Sequence, residues 1–347
     1  MIGKLFPKNI LRYIPYDMKV IFKVIKAGSG NDVYFQRLSD ALKLVKIDSV
    51  IEYYPKYFQY FPWALKLVNK KTPGDIIHSN VEYGWVFKEN DKPLYVTLHH
   101  NVFDKEYRKY TGFSQRIFHD FIIKPNTLKS LKSSSKIIAV SNYTKKSFLK
   151  TFGDYPIDVI YNFVDTDKFK PMDVKITDKR FKLLFVGNLT KRKGADLLPK
   201  IMTQLDPREY ALYYTNGLRT NAPKNFKLPH MIPLGKLSEK ELITQYNKSD
   251  ALLFPSRLEG FGYAIAEAMA CGKLIFSFDS SSINEIVINE RNGYLSKLED
   301  IKHMINKIKS ANIHKNKLAK LALVNRNKIV KEFSLQRTQE NLKKIYA

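Results

Sequence analysis

A chain of 347 residues with 59 Lys and Arg against 33 Asp and Glu carries a formal net charge of +26 and suits two domains of ordinary size better than one core. Hydrophobic residues at 44%, with 22 Phe and 21 Tyr, exclude global disorder, and a single cysteine, Cys271, excludes an intramolecular disulfide or a cysteine-cluster metal site and fits a reducing cytosol. The positive balance asks for an anionic partner, whether nucleic acid, an anionic lipid surface or a phosphorylated small molecule, and charge alone does not choose among them.

The N-terminal stretch MIGKLFPKNILRYIPYDMKV is broken by Pro7 and Pro15 and holds no long apolar run. It reads as neither signal peptide nor membrane span, so any encounter with a membrane is expected from outside the bilayer. Next come the strand-like KVIFKVI (19–25), a Gly28-Ser29-Gly30 turn and a helical pattern over 31–45. SVIEYY, DIIHS, PLYVTL, KIIAVS and DVIYN continue the strands, with amphipathic stretches at 112–132 and 142–151 between them. That alternation predicts a parallel sheet covered by helices.

After Asn162 the chain turns polar and strand-poor, and a second alternating series opens at FKLLFVG (181–187). Helices are expected at 195–205, 238–248 and 262–271, strands at YALYY, MIPLG, ALLFP, LIFSF and GYL, and helix again over most of 299–346. The division is a first Rossmann-like domain over 1–165, a second over 166–330, and a final helix over 331–347 packing back toward the first.

Ligands of open α/β sheets bind outside the carboxyl ends of the strands, where two loops stand out. PSRLEGFGYAIAEAMACG (255–272) follows a strand, and its glycines bring the backbone N–H groups of a helix N-terminus into the cleft, where they can hold an anion or a hydroxyl. Glu259 lies in the loop and Glu267 about a turn inside the helix. Separated carboxylates could grip two different sugars, although the spacing by itself fits a cap and a surface helix residue better. In FVGNLTKRKGADLLP (185–199), Lys191, Arg192 and Lys193 fill a turn before a helix opened by Gly194, an arrangement suited to phosphate.

Taken together, VGNL with Lys193-Gly194, the 255–272 segment, Glu285 in DSSSINEIV, KIIAVSNYTKK (136–146) and VIYNFVDTDKFKP (159–171) resemble the retaining glycosyltransferase family four over roughly residues 18–346. The resemblance implies a GT-B fold, two Rossmann-like α/β/α domains facing across a cleft. It implies that Glu259 and the backbone of Gly260, Phe261, Gly262 and Tyr263 hold the donor sugar, that Glu267 holds the ribose, and that Lys193 with Arg192 neutralises the donor diphosphate. Leu234, Gly235 and Lys236 would line the base, Gly28 and Gly30 would lie near the diphosphate and acceptor, and His99 would face the reacting centre. Four positions depart from the family pattern. Asn188, in the donor turn, replaces an Arg, His100 an Asp, Phe163 a Gly and Lys273 a Pro.

On that resemblance the expected activity is metal-independent, cofactor-free retaining transfer of a hexose from a nucleotide sugar, with a UDP-sugar favoured, to a lipid-linked or polysaccharide acceptor in bacterial surface-polysaccharide synthesis. The expected location is cytoplasmic, with possible peripheral contact to an anionic membrane face through Lys4, Lys8, Arg12, Lys19, Lys23 and Lys26, and through Lys105 to Lys132 interleaved with Phe113, Ile117, Phe118, Phe121 and Ile122. A nucleic-acid partner is not expected, since no helix-turn-helix, zinc finger or RNA-binding signature is present. A basic nucleic-acid- or membrane-binding protein that reuses the fold without catalysis is the competing reading.

Overall fold

A computed structural model describes residues 18–26, 28, 30–217, 226, 228–314 and 318–346. Lys4, Lys8 and Arg12, and Ser29 of the glycine turn, lie outside the described residues. The first sheet comprises β1 (Lys19–Ile25), β2 (Asp48–Tyr54), β3 (Ile76–Asn80), β4 (Leu94–Leu98), β5 (Lys136–Ala139) and β6 (Ile157–Val159), in the order β2-β1-β3-β4-β5-β6. The second comprises β7 (Phe181–Phe185), β8 (Tyr210–Thr215), β9 (Met231–Gly235), β10 (Ala251–Phe254), β11 (Leu274–Phe278) and β12 (Tyr294–Ser296), in the order β12-β11-β10-β7-β8-β9. All pairings between these strands are parallel. Such strands are buried on both faces and so read as continuous apolar runs; every residue of FKLLF and LIFSF is buried.

The first domain carries α1 (Gly30–Leu44), α2 (Leu65–Val68), α3 (Lys105–Arg108), α4 (Phe113–Phe118), α5 (Lys124–Ser133) and α6 (Asn142–Phe152). The second carries α7 (Leu198–Met202), α8 (Glu239–Lys248), α9 (Tyr263–Ala270), α10 (Ile283–Ile286), α11 (Ile301–Ile313) and α12 (Leu318–Glu332), after which α13 (Leu335–Tyr346) returns to pack on α1. Strand order reverses between β1 and β3 and between β7 and β10, and these two switch points are where an α/β sheet opens a crevice for ligand.

Three local expectations change. The helix expected at 195–205 is a 3₁₀ turn at Ala195–Leu197 followed by the short α7, because Gly194 is left-handed and Pro199 sits in the first turn. The amphipathic stretch 112–132 is α4 and α5 joined by a π turn at His119–Ile123. Lys23, read as a surface cation, is instead fully buried within β1, its ammonium 3.1 Å from Glu52 and 2.7 Å from Asn69 Oδ1. A buried lysine is tolerated only when paired in this way.

The chain crosses between domains twice, and the two passages meet. Val164 pairs with Ser334, its N–H donating to Phe333 O at 2.9 Å and its carbonyl accepting from Leu335 N at 3.0 Å. One continuous apolar cluster runs through this junction from Phe22 and Phe35 by way of Phe163, Phe169 and Phe333 to Phe261 and Ile265. At its first-domain end the Tyr346 hydroxyl meets His78 Nδ1 at 2.5 Å, while His78 Nε2 meets Thr97 Oγ1 at 2.7 Å.

Burial, with the neighbouring His99, pushes His78 down to about 3. An unfolded histidine titrates near 6.5, so the unfolded chain binds a proton that the native chain does not as pH falls below that value. His78 therefore contributes stability that is intact above about pH 6.5 and lost toward pH 3, at up to about 1.4 kcal/mol per pH unit. Denaturant unfolding at pH 7.5, 6 and 5 is expected to show this slope, and His78→Gln to flatten it; equal slopes would exclude His78 as the source.

Candidate active site

The basic loop and the glycine loop leave adjacent strands at the switch point of the second sheet, β7 and β10, which brings their backbones into contact. Arg257 N donates to Arg192 O at 2.9 Å. Gly194, at φ +73°, lies so close to Pro255 that a Cβ there would fall 1.9 Å from its carbonyl oxygen, so no other residue fits. Arg257, 3% exposed, fixes the basic loop from beneath, pairing with Asp196 at 2.6 and 3.0 Å, reaching Glu299 at 3.0 Å and donating to Lys191 O. Sequence reading passed over this arginine because its partners are distant in the chain.

On this frame Lys193 Nζ donates to Glu259 Oε1 at 2.6 Å, with Arg192 Nη1 at 3.6 Å from the same oxygen and Ser256 Oγ also donating to it. Burial raises the Glu259 carboxyl, but Lys193 and Arg192 more than offset it and hold the group below the usual carboxylate range. Burial takes Lys193 below the usual lysine range despite the Glu259 carboxylate. Two cations thus converge on one anion near a helix N-terminus, leaving net positive charge there.

Glu267, on α9, has both oxygens engaged: Oε1 accepts from Arg37 Nη2 at 2.7 Å and Oε2 from the Tyr246 hydroxyl at 2.9 Å. Across the cleft, a Cβ on Gly260 would fall 1.7 Å from His99 O, so the first-domain β4 loop rests directly on the glycine turn. The His99 ring stands edge-on to Tyr34 at 4.7 Å, with Nε2 3.2 Å from Asn80 Oδ1, and burial followed by repulsion from His100 pushes it down to about 3. It is a neutral imidazole at physiological pH.

Two halves of the chain match models of known protein families: residues 24–168 match Glycosyltransferase Family 4, and residues 167–327 match Glycosyl transferases group 1. The chain belongs to glycosyltransferase family 4. Among relatives, it is 30% identical over 238 residues to an uncharacterized glycosyltransferase of Methanocaldococcus jannaschii, covering 65% of each chain. It is 27% identical over 238 residues to a UDP-Gal:alpha-D-GlcNAc-diphosphoundecaprenol alpha-1,3-galactosyltransferase of Escherichia coli, covering 62% of this chain and 60% of that one. The matched region thus spans less than two thirds of either relative. A sucrose-phosphate synthase from Thermosynechococcus elongatus superimposes with a TM-score of 0.79 at 16% identity, over 95% of this chain and 98% of that one, which establishes the GT-B fold.

The remaining residues singled out in the sequence are placed as follows. The Phe261 side chain is 3% exposed among Tyr161, Tyr263 and Phe333, so it packs the junction and leaves only its backbone to a ligand. Gly28, at φ +62°, spends its N–H on Asp32 Oδ2 at 2.6 Å, which places a carboxylate where a phosphate contact was expected; Gly30 opens α1 beside it. Asn188 packs against Gly217, whose Cβ it would exclude, and Leu234, Gly235 and Lys236 close β9 at the sheet edge with Gly235 O accepting from Asn216 N at 3.1 Å. Gly262, at φ +104°, caps α9 and precedes Tyr263.

Glu285, carried in the sequence only as part of a signature, caps a helix of the other domain. Its oxygens accept from Tyr143 N at 2.7 Å and Asn142 N at 3.0 Å, the first turn of α6, and from the Tyr161 hydroxyl at 2.6 Å. Thr144 Oγ1 donates to Gly260 O at 3.2 Å beside it. The donor-side loop and the first domain are thereby tied together at one seam.

Proposed function

We propose that this protein is a retaining hexosyltransferase that moves a sugar from a nucleotide-sugar donor, a UDP-sugar before others, to a lipid-linked or polysaccharide acceptor in bacterial surface-polysaccharide synthesis. The observation that carries the reading is the convergence of Lys193 and Arg192 on Glu259 at the switch point of the second sheet, with the His99 backbone carbonyl resting on the neighbouring Gly260. Breaking a sugar–diphosphate bond builds negative charge on the departing phosphate, and prearranged cations in a partly dry cleft stabilise that charge more in the transition state than in the ground state. Lys193 and Arg192 supply them. Glu259 Oε1 holds Lys193 charged and aimed, and Oε2 accepts from a hydroxyl of the sugar. The acceptor attacks on the face the phosphate leaves, and a phosphate oxygen takes its proton, so retention needs no side-chain nucleophile. His99, uncharged, contributes its ring and hydrogen bonding beside the anomeric carbon. With two cations on the diphosphate, the reaction requires no metal.

The test is thermal stabilisation by UDP-, GDP- and ADP-sugars and the free nucleotides, in EDTA, with Glu267→Ala as control. A ligand at a hundred times its Kd adds about 2.7 kcal/mol to the native state, a rise of roughly 5–10 °C for domains of this size. One nucleotide series is expected to give that shift and the variant to lose it. Response to none would overturn the reading, and response only after Mn²⁺ or Mg²⁺ is added would overturn metal independence.

The acceptor side supports a membrane-facing role. Phe113, Ile117 and Phe121 form a stripe along α4 and the π turn, with Phe113 80% and Phe121 74% exposed, and the Tyr60–Phe118 ring contact at 5.3 Å joins it to Tyr57, Phe61, Trp63 and Leu67, the last 89% exposed. Lys56, Lys66, Arg116, Lys124 and Lys129, all exposed, belong to the same segments, Lys66 and Lys129 meeting over the Trp85 ring at 4.9 and 4.6 Å. Apolar tips among basic side chains fit an anionic bilayer seen from outside; among the described residues no helix is long and apolar enough to cross one. Flotation with phosphatidylglycerol vesicles is expected at low salt and not with neutral lipid. Leu67→Ser with Phe113→Ser and Phe121→Ser should abolish it; undiminished flotation would exclude this surface.

A further inference from the structure

The ribose-binding side of the cleft holds a residue that the family resemblance does not assign. Arg37 projects from α1 of the first domain into the second, where its Nη2 lies 2.7 Å from Glu267 Oε1 and 3.7 Å from Glu239 Oε2. Its guanidinium carbon stacks 4.7 Å over the Tyr263 ring and 5.4 Å over Phe169. Two buried polar atoms in this cluster, Arg37 Nη1 and the Tyr263 hydroxyl, have each other's side chain as neighbour but no partner at good hydrogen-bond geometry. An orphaned donor on a charged group is among the costlier defects a native interior can carry, and it points to a group that is present when the site works.

We infer that Arg37 is a donor-site residue supplied by the acceptor domain, its Nη1 donating to a ribose hydroxyl of the nucleotide held by Glu267. The inference rests on the nucleotide-sugar reading of Glu267. A hydroxyl is both donor and acceptor, so one ribose oxygen can accept from Arg37 Nη1 and bond the Tyr263 hydroxyl while its neighbour donates to a remaining lone pair of Glu267. Stacking and the second fork of the guanidinium, already spent on Glu267, hold the arginine in place, so little entropy is lost when the third contact forms. Because Arg37 belongs to one domain and Glu267 to the other, the ribose is gripped fully only with the cleft shut, which makes nucleotide affinity depend on closure.

The discriminating experiment is a cycle between a variant and a ligand. Calorimetry would give Kd for whichever of UDP, GDP and ADP binds the wild type, and for its 2′,3′-dideoxy counterpart, with wild type, Arg37→Ala and Arg37→Lys. A charge-assisted hydrogen bond corresponds to about a tenfold to hundredfold change in Kd. Arg37→Ala is expected to lose that factor for the ribonucleotide and little for the dideoxy ligand. Arg37→Lys keeps the ion pair but not Nη1, so it should repeat the result and serves alone if the alanine variant does not fold. Equal losses for both ligands would make Arg37 a pin between domains and overturn the inference, as would no loss at all. If the wild type binds no nucleoside diphosphate, the nucleotide-sugar reading fails first and the inference with it.

Discussion

Lys193→Ala is expected to lower kcat by about a hundredfold to a thousandfold, the usual cost of removing one prearranged charge-stabilising group from a transition state. Lys193 is 2.6 Å from Glu259 and packs 5.0 Å over the Phe254 ring, so it is already aimed and water does not take its place cheaply. Arg192, 3.6 Å from the same carboxylate, keeps Glu259 from being left wholly unpaired. The variant should therefore fold, with a stability loss below the roughly 3–5 kcal/mol of stripping a buried ion from its partner. Single-turnover rates at saturating donor, with a melting curve alongside, decide the matter. A rate within a few-fold of wild type would remove Lys193 from the chemistry.

Gly260→Ala should act as strongly by a different route. The new methyl would sit 1.7 Å from His99 O and 2.9 Å from its carbonyl carbon, both backbone atoms of the opposite domain, so nothing local can give way. The cleft must open by on the order of 1–2 Å, and a misplacement of that size costs about a hundredfold in rate. Opening would also stretch the Thr144 hydroxyl from Gly260 O, now 3.2 Å apart, and the Glu285 bonds to α6. The expected signature is a fall in kcat/KM of about a hundredfold with each domain still folded and a larger radius of gyration by X-ray scattering. Full activity would mean that the reaction proceeds in a wider cleft than this one.

Much of the fold was legible because parallel strands are buried on both faces, so β1, β7 and β11 stand out as apolar runs with little ambiguity. The loops at β7 and β10 were legible for a second reason: clustered cations and glycine turns at strand ends, each leading into a helix, form a pattern suited to an anion. What stayed hidden depends on contacts across the chain. Arg37 is one of many arginines until α1 is laid against α9, and Glu285 is an ordinary helical acid until α6 arrives at its carboxylate. Residues 56–68 escaped notice because short 3₁₀ turns have no period to detect, so their exposed aromatics became visible only in three dimensions. Lys23 misled in the opposite sense, since nothing local marks a lysine whose partner, Glu52, is brought by a neighbouring strand.

The pairing of Val164 with Ser334 sets how the two halves can move. Two passages of chain bonded side by side form a single pin: rotation about it bends both together, whereas sliding or twisting would stretch one against the other. Displacement then grows with distance from the pin. Phe261, packed at an angle against Tyr161 and Phe333 beside it, is expected to travel least, and the lip on the far side most. A tether placed across that lip is therefore expected to restrain the two halves far more than one placed beside Val164 and Ser334.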